Sequence, residues 1–191
     1  LTVPSVSTST PGNFLRRSST FAFAFVLKEA SRLHLGIDMT LGTGWPLGGP
    51  QISKTEAAKA YKMEELVLGP NQNFQIPTGD IQAVSVYVDG QFTQELISQK
   101  KNQFQAGSLG AKLYILSQTL TNQKVKRAAP GGEGLVMDHF SKSAFEHYRE
   151  TFVPLLKKSH APLRALYNDS YEVYGANFSP RVFDEFKRIN G

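Results

Sequence analysis

The 191-residue chain contains no cysteine, three methionines and a single tryptophan. Without cysteine there is no disulfide bond, no thiolate metal ligand and no cysteine nucleophile. The chain also lacks any apolar run of the roughly 20 residues that a membrane-spanning helix needs. Hydrophobic residues make up 40% of the chain and charged residues 19%, a balance typical of globular proteins.

The excess of positive charge is small. Lys and Arg total 21 against 16 for Asp and Glu, which gives a formal net charge of +5. The basic residues form short scattered groups, such as the one at 124–127, with no continuous stripe and no interleaved aromatic residues. We interpret these groups as solvated surface and predict no nucleic-acid partner.

Two frequent kinds of site are missing from the sequence. None of the four histidines has the HExxH spacing of a zinc site. The Gly/Pro-rich loop at 42–50 lacks the Gly-Lys-Ser/Thr end of a P-loop. Pro46 and Pro50 also stand where the helix of a dinucleotide-binding motif would begin. The sequence therefore disfavours zinc and nucleotide binding.

The N-terminal third predicts a tail followed by a helix, a strand and a loop. Residues 1–13 are rich in Ser, Thr and Pro and predict a loop or tail. Within 14–53, apolar residues at helical spacing predict a helix that ends at Gly36. A strand at 37–41 and the Gly/Pro loop at 42–50 complete this segment.

The middle of the chain, 54–134, predicts a β-rich insertion. Its first residues, 55–63, are compatible with a helix, but the residues after them are typical of strands. Residues 83–89 and 112–119 are rich in strand-forming side chains, and Asp89-Gly90 is typical of a hairpin turn.

The last segment, 135–191, returns to alternating strands and helices. The apolar run at 135–137, which ends at Asp138, resembles a strand. A helix is predicted from near Ser141, with Pro154 either kinking it or opening a second short helix. A strand at 163–167 precedes an acidic and aromatic loop and then a helix, with Ser179 as N-cap and Pro180 at its first position. We therefore predict an α/β fold, a partial (β/α)₈ TIM-type barrel with a β-rich insertion between early β/α units.

Glu172 is the leading catalytic candidate. In a β/α barrel, active sites lie on the loops at the ends of the strands, and both Glu172 and Asp169 come directly after the strand at 163–167. A glycosidase general acid needs a raised pKa, which neighbouring rings such as Tyr171 and Tyr174 can provide by burial. In the structural alternative, Asp169 caps a turn and Glu172 faces solvent.

Other residues suit the binding of a sugar. Trp45, held between glycines, can stack on the apolar face of a pyranose, or it can fill a barrel mouth as ordinary packing. Polar or aromatic side chains at the ends of predicted strands can contact the hydroxyls of a sugar. Each of them can equally have a structural role in its loop. The predicted substrate-binding residues are Trp45, Asp138, His139, Asn168, Tyr171 and Tyr174.

Three long segments carry a resemblance to a known family. They are LGIDMTLGTGWPLGGP at 35–50, QKVKRAAPGGEGLVMDHFSKSAFEHY at 123–148 and LRALYNDSYEVYGANFSPRVFDEFKRING at 163–191. In order and spacing the chain resembles glycoside hydrolase family 106, whose characterised members are α-L-rhamnosidases. The resemblance implies the N-terminal part of a (β/α)₈ barrel that cleaves rhamnosides with inversion, with Glu172 as the general acid.

The resemblance carries further expectations. It implies a calcium ion near the bound sugar, with Glu133 or Asp138 as possible ligands, and a general base beyond Gly191. It implies a rhamnose-containing glycan as partner and a bacterial periplasmic or secreted location. We also expect the remainder of the barrel, or self-association, to be needed for stability. The alternatives are a degenerate fragment that binds sugar without cleaving it, or a glycosidase for another sugar.

Overall fold

The computed structural model describes residues 17–42, 44–158, 163–168 and 170–190. Contacts divide the chain into two compact units. Unit 1 comprises the described residues within Leu1–Ala58 and Thr121–Ser179. Unit 2 comprises those within Lys59–Leu120 and Pro180–Gly191. In the described part of the chain, no helix is long and apolar enough to cross a membrane.

The described residues of unit 1 form helices and short strand pairs. Its elements are α1 (Arg17–Arg32), β1 (Asp38–Thr40), β2 (Gly48–Gly49), β9 (Leu135–Val136), α2 (Lys142–Glu150), α3 (Val153–Lys158) and β10 (Ala165–Tyr167). β1 pairs with β10 in parallel, and β2 pairs with β9 antiparallel. Tyr148 of α2 is fully buried, and its hydroxyl donates to the Leu41 carbonyl at 3.1 Å. This bond ties α2 to the segment after β1.

Unit 2 is built mainly from antiparallel sheets. Its elements are β3 (Lys59–Leu68), β4 (Asn73–Gln75), β5 (Ile81–Val88), β6 (Gln91–Glu95), β7 (Gln103–Gln105), β8 (Ala111–Leu120) and α4 (Val182–Asn190). One sheet has the strand order β3-β8-β5-β6, and β4 pairs with β7 in another. Alternate side chains of the central strands, including Val84, Val86 and Leu113, are fully buried in one apolar cluster.

The predicted TIM-type barrel is wrong. Among the described residues, β1 and β10 form the parallel pair, each with three residues, and the other paired strands run antiparallel. The predicted strand at 135–137 pairs antiparallel with β2 instead of joining a parallel sheet. Because antiparallel pairs need no helical crossover, the strands do not alternate with helices as they do in a barrel.

Several local predictions are confirmed. The strands at 83–89 and 112–119 correspond to β5 and β8, and Asp89-Gly90 forms the turn between β5 and β6. Ser141 is the N-cap of α2, because its hydroxyl accepts from the Ala144 N–H at 3.2 Å. A second short helix, α3, begins at Val153, next to Pro154.

Three boundary predictions are wrong. Residues 55–63 do not form a helix, since β3 begins at Lys59 and pairs along its whole length with β8. The left-handed residue that ends α1 is His34, with φ of 55°, rather than Gly36. The last helix begins at Val182 rather than at Pro180, so Ser179 is not its N-cap.

Candidate functional site

The candidate site lies in unit 1, where the loop at 42–50 meets the segment after residue 120. Trp45 and Lys126 exchange two backbone hydrogen bonds, at 3.3 and 2.7 Å, and the indole is half-buried. A Cβ on Gly44 would overlap the Lys126 carbonyl oxygen, so glycine is what permits this close approach. The Arg127 guanidinium carbon stands 5.7 Å from the centroid of the indole. Trp45 is thus fixed by its backbone, with a cation over its ring.

Gln123 holds the segment that carries Glu172. Its side-chain nitrogen donates to the Glu172 carbonyl at 2.6 Å, and its side-chain oxygen accepts from the Tyr174 N–H at 2.7 Å. One amide thus satisfies two backbone groups of a segment with no strand partner of its own. Nothing in the sequence signals this role, because Gln123 lies 49 and 51 residues from its two partners.

The Glu172 carboxylate is ion-paired and about half exposed. The Lys126 ammonium lies 2.5 Å from its Oε2, and the Tyr174 hydroxyl donates to the same oxygen at 3.1 Å. Lys126 also donates to the Tyr174 hydroxyl at 3.0 Å and stands 4.5 Å from the centroid of that ring. The basic group at 124–127, which the sequence suggests is solvated surface, therefore supplies the cation of the candidate site.

This geometry reverses the expected pKa of Glu172. The hydrogen bond from Lys126, then that from Tyr174, and then the positive charge of Lys126 hold the pKa of Glu172 below its usual 4.5. Tyr171 and Tyr174 are 74% and 61% exposed, so the rings that were expected to bury the carboxyl group leave it in solvent. In this arrangement the contacts of Glu172 favour its ionised form.

Replacing Lys126 tests this assignment. In Lys126→Gln, we expect the pKa of Glu172 to rise towards 4.5, because the largest contact that favours the charged form is lost. The measurement is a carbon-detected NMR titration of the Glu172 carboxyl group, with Lys124→Gln as the neighbouring control. An unchanged titration in Lys126→Gln would show that this ion pair is absent in solution.

A second cluster surrounds His139. Its ring stands 5.4 Å from that of Tyr171 in an edge-on contact, which brings the segment after β9 against the segment after β10. Its Nδ1 lies 2.9 Å from the Met137 carbonyl, which can only accept, so Nδ1 carries the proton. Burial lowers the pKa of His139 and outweighs both the Met137 carbonyl and the negative charge of Asp138. The neutral ring therefore offers Nε2 as a hydrogen-bond acceptor.

Three polar atoms on the residues that follow β9 and β10 are buried without a hydrogen-bond partner among the described residues. They are Oδ2 of Asp138, Nε2 of His139 and Nδ2 of Asn168. Asp138 is 1% exposed, and its other oxygen accepts from the Phe140 N–H at 2.9 Å. A buried polar atom without a partner is costly, so such atoms mark places where a ligand or water is expected. Two acceptors and one donor suit hydroxyl groups, which both donate and accept.

Five of the predicted site residues fall into these two clusters. Glu172 and Tyr174 are joined to Lys126 and, through its backbone, to Trp45. His139 and Tyr171 form the other cluster, next in sequence to Asp138. Asn168 is half-buried and contributes one of the unpartnered atoms. Asp169 lies outside the described residues.

The described residues bring together no cluster of carboxylates or histidines that would hold a calcium ion. They include no group of three or more His, Asp or Glu side chains placed to hold a metal ion. The exposed Glu133 carboxylate accepts from the Gly131 N–H at 2.8 Å within its own loop. Calcium needs six to eight oxygen ligands, and the two candidates, Glu133 and Asp138, do not form such a set here. No chemical step is therefore assigned to a metal.

Comparison with known proteins gives a structural likeness only. No protein-family profile and no curated protein matches the sequence. A solved structure described as a rhamnosidase from Novosphingobium sp. PP1Y matches with a TM-score of 0.65 and 14% sequence identity. The match covers 99% of this chain and 36% of that one. The chain is thus similar in fold to about a third of a rhamnosidase.

Proposed function

We propose that this chain is part of a glycoside hydrolase that acts on α-L-rhamnosides, as its resemblance to glycoside hydrolase family 106 implies. The observation that carries the proposal is the fold likeness to a rhamnosidase, which extends over 99% of the chain. Because the chain spans 36% of that protein, a complete reaction can require residues beyond these 191.

The chemistry of unit 1 supports a sugar ligand. The unpartnered oxygen of Asp138 and the Nε2 of His139 can accept from sugar hydroxyls, and the Asn168 amide can donate to one. The exposed ring of Tyr171 offers an apolar face for a pyranose. We place the bound sugar against these four residues.

Glu172 is proposed as a catalytic carboxylate whose protonation is set by Lys126. An inverting glycosidase uses one carboxylic acid to protonate the leaving oxygen and one carboxylate to activate water. With Lys126 2.5 Å away, Glu172 is held in the ionised state that a base needs. A role as the acid requires the contact with Lys126 to break when the glycoside binds. The role of Asp169 remains a prediction.

A second candidate is sugar binding without cleavage. The ion pair between Glu172 and Lys126 favours it, because a carboxylate held ionised cannot donate a proton to a glycosidic oxygen. In this case, Glu172 accepts a hydrogen bond from a sugar hydroxyl, and the aromatic rings supply most of the affinity.

The test is the release of 4-nitrophenol from 4-nitrophenyl α-L-rhamnoside, with and without calcium. We expect turnover that falls at least about 100-fold in Glu172→Gln and is unchanged in the exposed control Glu150→Gln. Calorimetry with L-rhamnose is run on the same samples. Binding without turnover would favour the second candidate or a reaction that needs residues beyond these 191, whereas neither binding nor turnover would contradict both candidates. Dependence on calcium and a periplasmic or secreted location remain predictions from the resemblance.

A further inference from the structure

Unit 2 carries an exposed aromatic face that the proposed function does not use. Side chains alternate along β8, so Leu113 points into the apolar cluster whereas Lys112 and Tyr114 point to the opposite face. On the neighbouring strand, Tyr87 lies on the same outer face, opposite Lys112 in the register. Phe92 of β6 continues this row and is 57% exposed.

A groove of about 480 Å³ opens on this face. It is lined by the end of β3, the Asp89-Gly90 turn, the loop before β8 and the first residues of β8. Its volume falls within the range of about 300–1,000 Å³ that is usual for small-molecule sites. All the lining residues belong to unit 2, so the groove is complete within that unit.

The two tyrosine rings that line the groove make edge-on ring contacts. Tyr87 and Tyr114 meet nearly at right angles, with centroids 5.5 Å apart, and Phe92 makes a second edge-on contact with Tyr87 at 5.7 Å. Such edge-to-face contacts set the ring planes in advance, which lowers the entropy lost when a ligand binds.

Both polar and apolar groups line the groove beside these rings. Lys112 pairs with Glu65 at 2.8 Å, which leaves ammonium protons for another acceptor, and Asp89 adds a carboxylate at the turn. Val67 and Leu109 are 65% and 76% exposed and supply apolar contacts. A ligand that fits must combine hydroxyls with an apolar edge. A 6-deoxyhexose does so, since it carries a methyl group in place of one hydroxymethyl group.

We propose that this groove is a second carbohydrate site, which binds a 6-deoxyhexosyl residue of the glycan. The choice of sugar rests on the proposed function, whereas the groove and its chemistry do not. The sugar packs in the angle between the two tyrosine rings, its hydroxyls bond to Lys112 and Asp89, and its methyl group contacts Val67 and Leu109. The site holds the glycan and performs no chemistry.

The test is an NMR titration of the ¹⁵N-labelled chain with methyl α-L-rhamnoside. We expect shifts of the Gly90, Gly110 and Lys112 amides, with a dissociation constant on the order of 1 mM. In Tyr114→Ala, binding to the groove should weaken at least about fivefold. Leu109→Ala should also weaken it, and its high exposure leaves the fold intact. Tyr61→Ala, which removes an exposed ring of β3 outside the groove, is the matched control.

The same spectra separate this proposal from the function of unit 1. Shifts at the groove without shifts at Trp45 or His139 support the second site and count against the first. Shifts confined to Trp45 and His139 overturn the second site and leave the proposed function standing. Equal shifts with methyl α-D-glucoside would overturn the preference for a 6-deoxy sugar, and no shift with either sugar would overturn both sites.

Discussion

In Asp138→Asn, the affinity of the chain for L-rhamnose is expected to fall about 10- to 100-fold. The reason is that Oδ2 of Asp138 is buried without a partner among the described residues, so the hydrogen bond that we propose between it and a sugar hydroxyl would be lost. The thermal unfolding temperature should stay the same or rise. Asparagine keeps the acceptor for the Phe140 N–H and removes a buried charge.

Calorimetric titration with L-rhamnose and thermal unfolding of the same samples measure both effects. Asp38→Asn is the control, because its carboxylate is exposed and paired with Arg164 in the same unit. Its affinity for L-rhamnose should not change. Unchanged affinity in Asp138→Asn, or a marked loss of stability, would show that Asp138 has a structural role and does not bind the sugar.

Glu95→Ala is expected to lower the free energy of unfolding of unit 2 by about 2–4 kcal/mol. The Glu95 carboxylate accepts from the backbone N–H groups of Val84, Ile97 and Ser98, at 2.8, 3.0 and 2.5 Å. It thereby ties the end of β6 to β5 and closes the turn after β6. In Glu95→Ala, these three N–H groups bond to water or have no hydrogen-bond partner.

The same carboxylate makes the stability of unit 2 depend on pH. Burial raises the pKa of Glu95, but its hydrogen bonds from Val84, Ser98 and Ile97 together outweigh burial and hold the pKa below 4.5. A group with a lowered folded-state pKa contributes stability above its unfolded pKa, and this contribution is lost as the pH falls through the folded value.

Denaturant unfolding at pH 7 and at a series of pH values below 4.5 measures the role of Glu95. The difference in unfolding free energy between the unmodified chain and Glu95→Ala should become smaller as the pH falls. Glu64→Ala is the control, because Glu64 is exposed on β3 and pairs only at the surface with Lys62. Surface ion pairs of this kind contribute little to stability, so Glu64→Ala should change the free energy of unfolding by less than about 1 kcal/mol. Equal losses in the two variants would contradict the role assigned to Glu95.

Local patterns predicted the parts of the fold that local interactions determine. The Asp89-Gly90 turn and the start of α2 next to Ser141 each depend on residues within a few positions, and both were predicted correctly. The barrel prediction failed because the direction of strand pairing is a long-range property. The apolar segment at 135–137 pairs antiparallel with Gly48 and Gly49, and no local pattern indicates this partner.

The candidate site, too, could be predicted from the sequence only in part. The aromatic and acidic composition of the loop after β10 predicted Glu172, Tyr171 and Tyr174 as site residues. The protonation state of Glu172 depends on Lys126, which lies 46 residues away and resembles ordinary surface charge in the sequence. The burial of Asp138 could not be predicted either, because an Asp at the end of a predicted strand is usually solvated.

The most direct test of the proposed sugar site is a crystal structure of the chain in complex with L-rhamnose. We predict a sugar hydroxyl within about 2.5–3.2 Å of Asp138 Oδ2, with another bonded to His139 Nε2 and the ring against Tyr171. A structure in which these atoms bond to ordered water alone, with no sugar in unit 1, would contradict the proposal.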